Sequence, residues 1–107
     1  MPEFRQHGVL ILHNVPRTGT EWEASDIGVL EQVAAVKAAL DQLNVPSRIG
    51  AIKRLNELPG VVTHGSERLV FNLVEALLGE HRDVAMVPAV CRSLGRECTG
   101  GSTPGLT

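Results

Sequence analysis

Glu75 closes the run Leu69-Val70-Phe71-Asn72-Leu73-Val74, and its carboxylate is the group in this 107-residue chain best placed for chemistry. Apolar runs of this kind, rich in β-branched and aromatic residues, read as central strands of a parallel sheet buried on both faces. Ligands of such sheets bind just beyond the carboxyl ends of the strands. A carboxylate at that end, ahead of Ala76-Leu77-Leu78-Gly79, either meets a ligand or stands hydrated at a strand tip. The Asn72 amide inside the run needs a partner, because a buried unpaired amide costs ~1–3 kcal/mol. A neighbouring loop or a ligand would serve equally. His13 and Asn14 form a second candidate pair, since they follow Val9-Leu10-Ile11-Leu12, another short buried run.

Other groups carry weaker signals. Thr18-Gly19-Thr20 could hold a phosphate through hydroxyls and amides, as in flavodoxin-like folds, or form a plain turn. Trp22 is the one residue there able to stack on a flavin, in a chain without tyrosine. No Gly-x-Gly-x-x-Gly follows the first run and no P-loop motif occurs, so both nucleotide fingerprints are missing. His7, His13, His64 and His81 show no metal-ligand spacing, and three of them read as surface residues. No serine has a nucleophile-elbow context and neither cysteine has an evident base. Cys91 and Cys98 read as reduced thiols acting as small hydrophobes. A receiver-type phosphoacceptor is excluded because the first strand ends in His13-Asn14 instead of acidic residues.

These candidates must be positioned by the elements around them. The pattern predicts a first strand over Gly8–His13, a loop to Ser25, and a helix over Ile27–Leu43 capped by Ser25 or Asp26. Val29, Val33, Val36, Leu40 and Leu43 make one stripe of that helix, opposite Glu31, Ala35, Ala38 and Gln42. Asn44-Val45-Pro46 ends it, and Ser47–Ile52 reads as a second strand. A short helix over Lys53–Leu58 should stop at Pro59-Gly60, and Val61–Arg68 is ambiguous between helix and loop. The third strand ends at Glu75. Asp83 can cap a further helix with stripe Val87, Val90, Cys91 and Leu94 and a stop at Gly95. Pro88 fits only near its first turn, which delays the regular part. Arg96–Thr99 is a fourth strand, and Gly100–Gly105 has linker composition.

The order β-α-β-α-β-α-β predicts a three-layer α/β domain over residues 1–99. Its sheet has four parallel strands in the order 2-1-3-4 and helices on both faces. The reversal between strands one and three is a topological switch point, where His13-Asn14 and Glu75 should border one crevice. Length allows a single domain with its own core. Hydrophobic residues at 43% and charged residues at 21% are globular, and aromatics at 3% leave the core to Val, Leu, Ile and Ala. A net charge of −2 argues against a nucleic-acid or anionic-membrane partner. With no apolar run of ~18 residues and no signal-peptide pattern, a soluble cytoplasmic chain is expected.

Val70-Phe71-Asn72-Leu73-Val74-Glu75, Gly79-Glu80, Val87-Pro88-Ala89 and Leu94-Gly95-Arg96-Glu97-Cys98-Thr99-Gly100 together resemble one family pattern. It is that of the N-terminal, Rossmann-like pre-ATP-grasp domain of D-alanine–D-alanine ligases and their relatives in the ATP-grasp superfamily. Glu21-Trp22-Glu23-Ala24-Ser25 is similar to that family's Glu-x-Glu-Val-Ser segment. The resemblance implies an enzyme that joins a carboxylate to an amine with ATP and magnesium through an acyl phosphate. By the same resemblance Glu21 matches the carboxylate that orients the substrate's amino group, and Ser25 matches a residue that holds this loop. An ammonium favours a fixed anion in a site with little water.

Two positions depart from classical members. His13-Asn14-Val15-Pro16 stands in place of a Gly-Gly pair, and Leu73-Val74-Glu75 in place of Leu-His-Gly. These departures point to divergent relatives that take an amino-acid or peptide substrate. In the family, nucleotide-binding lysines and magnesium carboxylates come from a following domain. The expectation is therefore an isolated substrate-side domain, not catalytic alone, with 100–107 leading toward an absent ATP-binding domain. Its partners would be the other ligase domains and a second copy of the chain, because this part of the family contributes subunit contacts. The alternative is a stand-alone flavodoxin-like module that binds a small ligand or dimerises.

Overall fold

Six consecutive residues, Val9–Asn14, are all buried, and they form the central strand β1. The computed structural model describes residues 7–16 and 23–99, with residues 23–27 described by backbone alone. Strand β1 pairs in parallel with β2, Ser47–Ile52, and on its other side with β3, Leu69–Asn72. Strand β3 pairs in parallel with β4, Glu97–Cys98, so the order is β2-β1-β3-β4. This is the all-parallel α/β sheet the sequence pattern predicts.

Side chains alternate across the sheet, which splits the core into two clusters. Leu10 and Leu12 point to one face, where they join Ile52, Leu58, Val62, Val70, Val74, Val87 and Cys91. Two helices cover that face: α2, Leu58–Thr63, and α3, Asp83–Ser93. Ile11 points to the other face and meets Val29 and Val33. These belong to α1, Glu23–Gln42, which lies against β1 and β2. Leu10, Ile11 and Leu12 are essentially inaccessible, and full burial of each contributes ~1.5–3 kcal/mol.

Both long helices end in the same hydrogen-bonded device. At the end of α1 the Val45 N–H donates to the Leu40 carbonyl (2.9 Å) and the Asn44 N–H to that of Asp41 (3.1 Å). Asn44 sits in the left-handed region at φ 59°, which asparagine tolerates. At the end of α3 the Arg96 N–H donates to Cys91 and the Gly95 N–H to Arg92, both at 3.0 Å, with Gly95 at φ 79°. The stops expected at Asn44 and Gly95 are therefore Schellman motifs.

Several expected boundaries move. Helix α1 starts at Glu23, so Ser25 and Asp26 lie inside its backbone and neither is the cap. It ends at Gln42, leaving Leu43 60% exposed instead of on the packed stripe. The helix expected over Lys53–Leu58 is a single 3₁₀ turn, Leu55–Glu57, and α2 then runs through Pro59-Gly60. Proline is tolerated there because the first helical turn has no use for its missing N–H. Helix α3 begins at Asp83, with Arg82 at the cap position, and continues through Pro88. Burial of Val87, Pro88 and Cys91 against the sheet holds that helix across the proline. Strand β4 keeps only Glu97–Cys98 of the expected Arg96–Thr99. Strand β3 stops at Asn72, three residues before Glu75, for reasons that belong to the site.

Candidate functional site at the carboxyl edge of the sheet

The segment 73–78 crosses the carboxyl ends of β1 and β2 and is tied down residue by residue. The Leu73 N–H still donates to the Leu12 carbonyl, at 2.7 Å. The Val74 N–H turns back to the Asn72 Oδ1 at 3.0 Å, a side-chain turn that competes with the ladder and bends the chain out of β3. The Asn72 side chain thus pins its own following backbone, while its N–H donates to the Thr99 Oγ1. Further on, the Glu75 N–H donates to the Asn14 Oδ1 at 2.8 Å and the Leu78 N–H to the Lys53 carbonyl at 2.8 Å. Glu75 is therefore a loop residue held against the end of β1.

The candidates His13, Asn14 and Glu75 meet as the switch-point argument requires, in unequal roles. Asn14 is 1% exposed and joins the two segments through its side-chain Oδ1; its Nδ2 is buried with no partner among the described residues. His13 is buried, and its Nδ1 lies 2.8 Å from the Asn14 carbonyl. A carbonyl only accepts, so Nδ1 carries the hydrogen in this contact. Glu75 alone of the three is exposed, and Gln32 of α1 donates to its Oε2 at 3.4 Å. Ser25 lies in the first turns of α1 as backbone only, and Glu21 lies outside the described residues, as does Thr18-Gly19-Thr20.

A recess of about 530 Å³ opens between this segment and the first turn of α3. Glu75, Ala76 and Leu77 form one wall; His81, Arg82, Val84 and Ala85 form the other. Glu75, His81 and Arg82 thus line one recess together with the apolar residues Ala76, Leu77, Val84 and Ala85. The switch point in the topology marks Glu75 but not Arg82 or His81. The signal was available: residues 79–82 connect the carboxyl end of β3 to a helix, and such connections supply ligand contacts.

The amino ends of the strands carry a different polar group. Arg48 of β2 donates twice to Glu67, at 2.7 and 2.8 Å, and once to the Val61 carbonyl at 3.1 Å. Hydrogen bonding from Arg48 holds the Glu67 carboxyl below the usual carboxylate range and raises the Arg48 guanidinium. Arg96 donates to the Gly65 carbonyl at 3.0 Å, which fastens the start of β4 to the same loop. This cluster ties the loop before β3 to its neighbouring strands. Cys91 and Cys98 are both free; a hydrogen bond with Cys91, followed by burial, pushes the Cys98 thiol up. Among the described residues no group of three or more His, Cys, Asp or Glu is arranged to hold a metal ion, and no helix is long and apolar enough to cross a membrane.

Set against protein-family models, curated proteins and solved structures, the chain gives no match in any of the three.

Proposed function

We propose that this chain is the amino-terminal, substrate-side domain of an ATP-dependent carboxylate–amine ligase of the ATP-grasp superfamily, similar to D-alanine–D-alanine ligases. The observation that carries the reading is the 2.8 Å bond from the Glu75 amide to Asn14, which closes the switch point of a 2-1-3-4 parallel sheet. In this reading the carboxyl edge of the sheet is one wall of a site that holds an amino acid or peptide. Glu75 offers a fixed anion to a substrate ammonium, Asn14 sets its position, and His13 stiffens the end of β1. Glu21 and Ser25 keep the roles that the resemblance gives them. ATP and magnesium belong to another domain of the parent enzyme, which works in the cytoplasm, where thiols such as Cys91 and Cys98 stay reduced.

Calorimetric titration of the chain with Mg-ATP tests this assignment. The expected result is no saturable heat; tight binding would place the nucleotide site here and sink the reading. A second reading, a stand-alone flavodoxin-like module for a small ligand, draws support from the recess beside the carboxyl edge of the sheet. Co-purification of a yellow flavin would favour that alternative.

A further inference from the structure

We propose that Cys91 and Cys98 are a reversible redox pair, which a low-molecular-weight disulfide oxidises to an intramolecular disulfide tying the end of α3 to β4. The two thiols are the resting state, and the bond forms when the surrounding thiol pool turns oxidising. The pair works independently of any ligase activity.

These are the two cysteines of the chain, and the fold brings them together from different elements. Cys91 lies near the end of α3, fully buried in the larger core cluster, and Cys98 of β4 packs against that cluster. Their side chains are hydrogen-bonded to each other. The connection between them is short and held in place. The Arg96 N–H donates to the Cys91 carbonyl at 3.0 Å, and Gly95 in the left-handed region turns the chain back. Strand β4 is fixed in turn by the Glu97 N–H to the Arg68 carbonyl (2.8 Å) and the Thr99 N–H to that of Val70 (2.9 Å). A disulfide tolerates little backbone movement, and here the two side chains already meet on backbones held in position.

Exposure sets the order of events. Cys98 is half-buried, so an outside reagent reaches its sulfur, while Cys91 is shielded. The Cys98 sulfur gives up its proton and attacks one sulfur of the reagent, whose other half leaves as a thiolate and takes up a proton. Cys91 then loses its proton and attacks the Cys98 sulfur, expelling the second half as a thiol. The two cysteines lose two electrons, and one reagent disulfide becomes two thiols. Hydrogen bonding from Cys98, with the charges of Arg92 and Arg96, holds the Cys91 thiol below its usual range despite burial, which favours the second attack. The hydrogen bond with Cys91 pushes the Cys98 thiol up, so the first attack is the slow one.

The bond reaches the carboxyl edge of the sheet. Strand β4 has two residues at an edge, where opening costs little. Tied to α3, it opens less. Thr99, beside Cys98, accepts the Asn72 N–H at 3.1 Å, and Asn72 bends the 73–78 segment, so the disulfide also steadies that anchor.

The test incubates the full chain with glutathione disulfide at mildly alkaline pH. Intact mass and alkylation of the remaining thiols in denaturant then report the product. The expected product is a monomer lighter by two hydrogens, with no thiol left to alkylate, and fully reversed by dithiothreitol. In it the Glu97 and Thr99 amides should exchange about tenfold more slowly. Cys91→Ala should stop at one glutathione on Cys98, and Cys98→Ala should leave Cys91 unmodified in the folded chain. A native chain that ends as a stable glutathione adduct, as a disulfide-linked dimer or with both thiols free would overturn the inference. So would a disulfide that leaves the β4 amides exchanging as before.

Discussion

Asn14→Ala separates a positioning role from a stabilising one at the switch point. The substitution removes the acceptor of the Glu75 N–H, a bond whose net contribution is ~0.5–1.5 kcal/mol. It also removes the buried Nδ2, which has no partner among the described residues and whose desolvation costs ~1–3 kcal/mol in the native chain. The two terms oppose one another, so global stability should stay within ~1 kcal/mol of the native protein despite complete burial of the residue. The local effect has no such compensation. Protection of the Glu75 amide against hydrogen exchange should fall roughly three- to tenfold, the factor that corresponds to the lost bond. Urea unfolding measures the first quantity and amide exchange by NMR the second. Asn14→Asp supplies the control: the acceptor remains, so Glu75 keeps its protection, but a carboxylate is now buried. Its folded pKa lies above the unfolded value, so the destabilisation is greatest at neutral pH and fades as the pH falls. A global loss above ~3 kcal/mol in Asn14→Ala, with Glu75 exchange unchanged, would refute the assignment of Asn14 as the positioner of Glu75.

Two further outcomes follow from the packing around the site. Glu67 has a folded pKa below its unfolded value, so its stabilisation is complete at neutral pH and is lost as the pH falls through the carboxylate range. Glu67→Gln should therefore cost about 1–3 kcal/mol near pH 7, between the surface and buried limits for an ion pair, and should flatten the acid limb of a melting-temperature profile. An unchanged acid limb would show that Arg48 and Glu67 do not pair in solution. Gly50→Ala should cost ~1–3 kcal/mol, because a Cβ there would stand 2.6 Å from Val61 Cγ1, on a stiff β-branched side chain of α2. Urea midpoints of Gly50→Ala, Val61→Ala and the double variant should give a coupling near 1 kcal/mol, and strict additivity would argue against that close approach.

Sheet order was legible in the sequence because β1 is continuously apolar and the long helices carry regular stripes that end in Asn44 and Gly95. The boundaries that moved share a physical cause, the priority of tertiary contacts over local signals. Pro88 reads as a helix delay, yet burial of Val87, Pro88 and Cys91 holds the helix across it. Pro59-Gly60 reads as a stop, yet Leu58 and Val62 bury on the sheet and carry α2 through it. Leu73 and Val74 read as strand because they are apolar and packed, which they remain, but the Asn72 side chain captures the Val74 amide and turns the chain. The meeting of Asn14 with Glu75 followed from topology alone. The recess did not, because its second wall depends on how far α3 stands from the 73–78 segment. That spacing is set by packing and leaves no mark in residue periodicity.

The proposed site lies at the carboxyl edge of the sheet, on the side of Glu75 and Arg82. Its most direct measurement is a backbone-amide shift map of the full chain in the presence of a mixture of amino acids. Perturbations should concentrate in residues 73–77 and 81–85, with the amides around Arg48, Glu67 and Arg96 unmoved. Shifts centred on that opposite edge, or none at either edge, would contradict it.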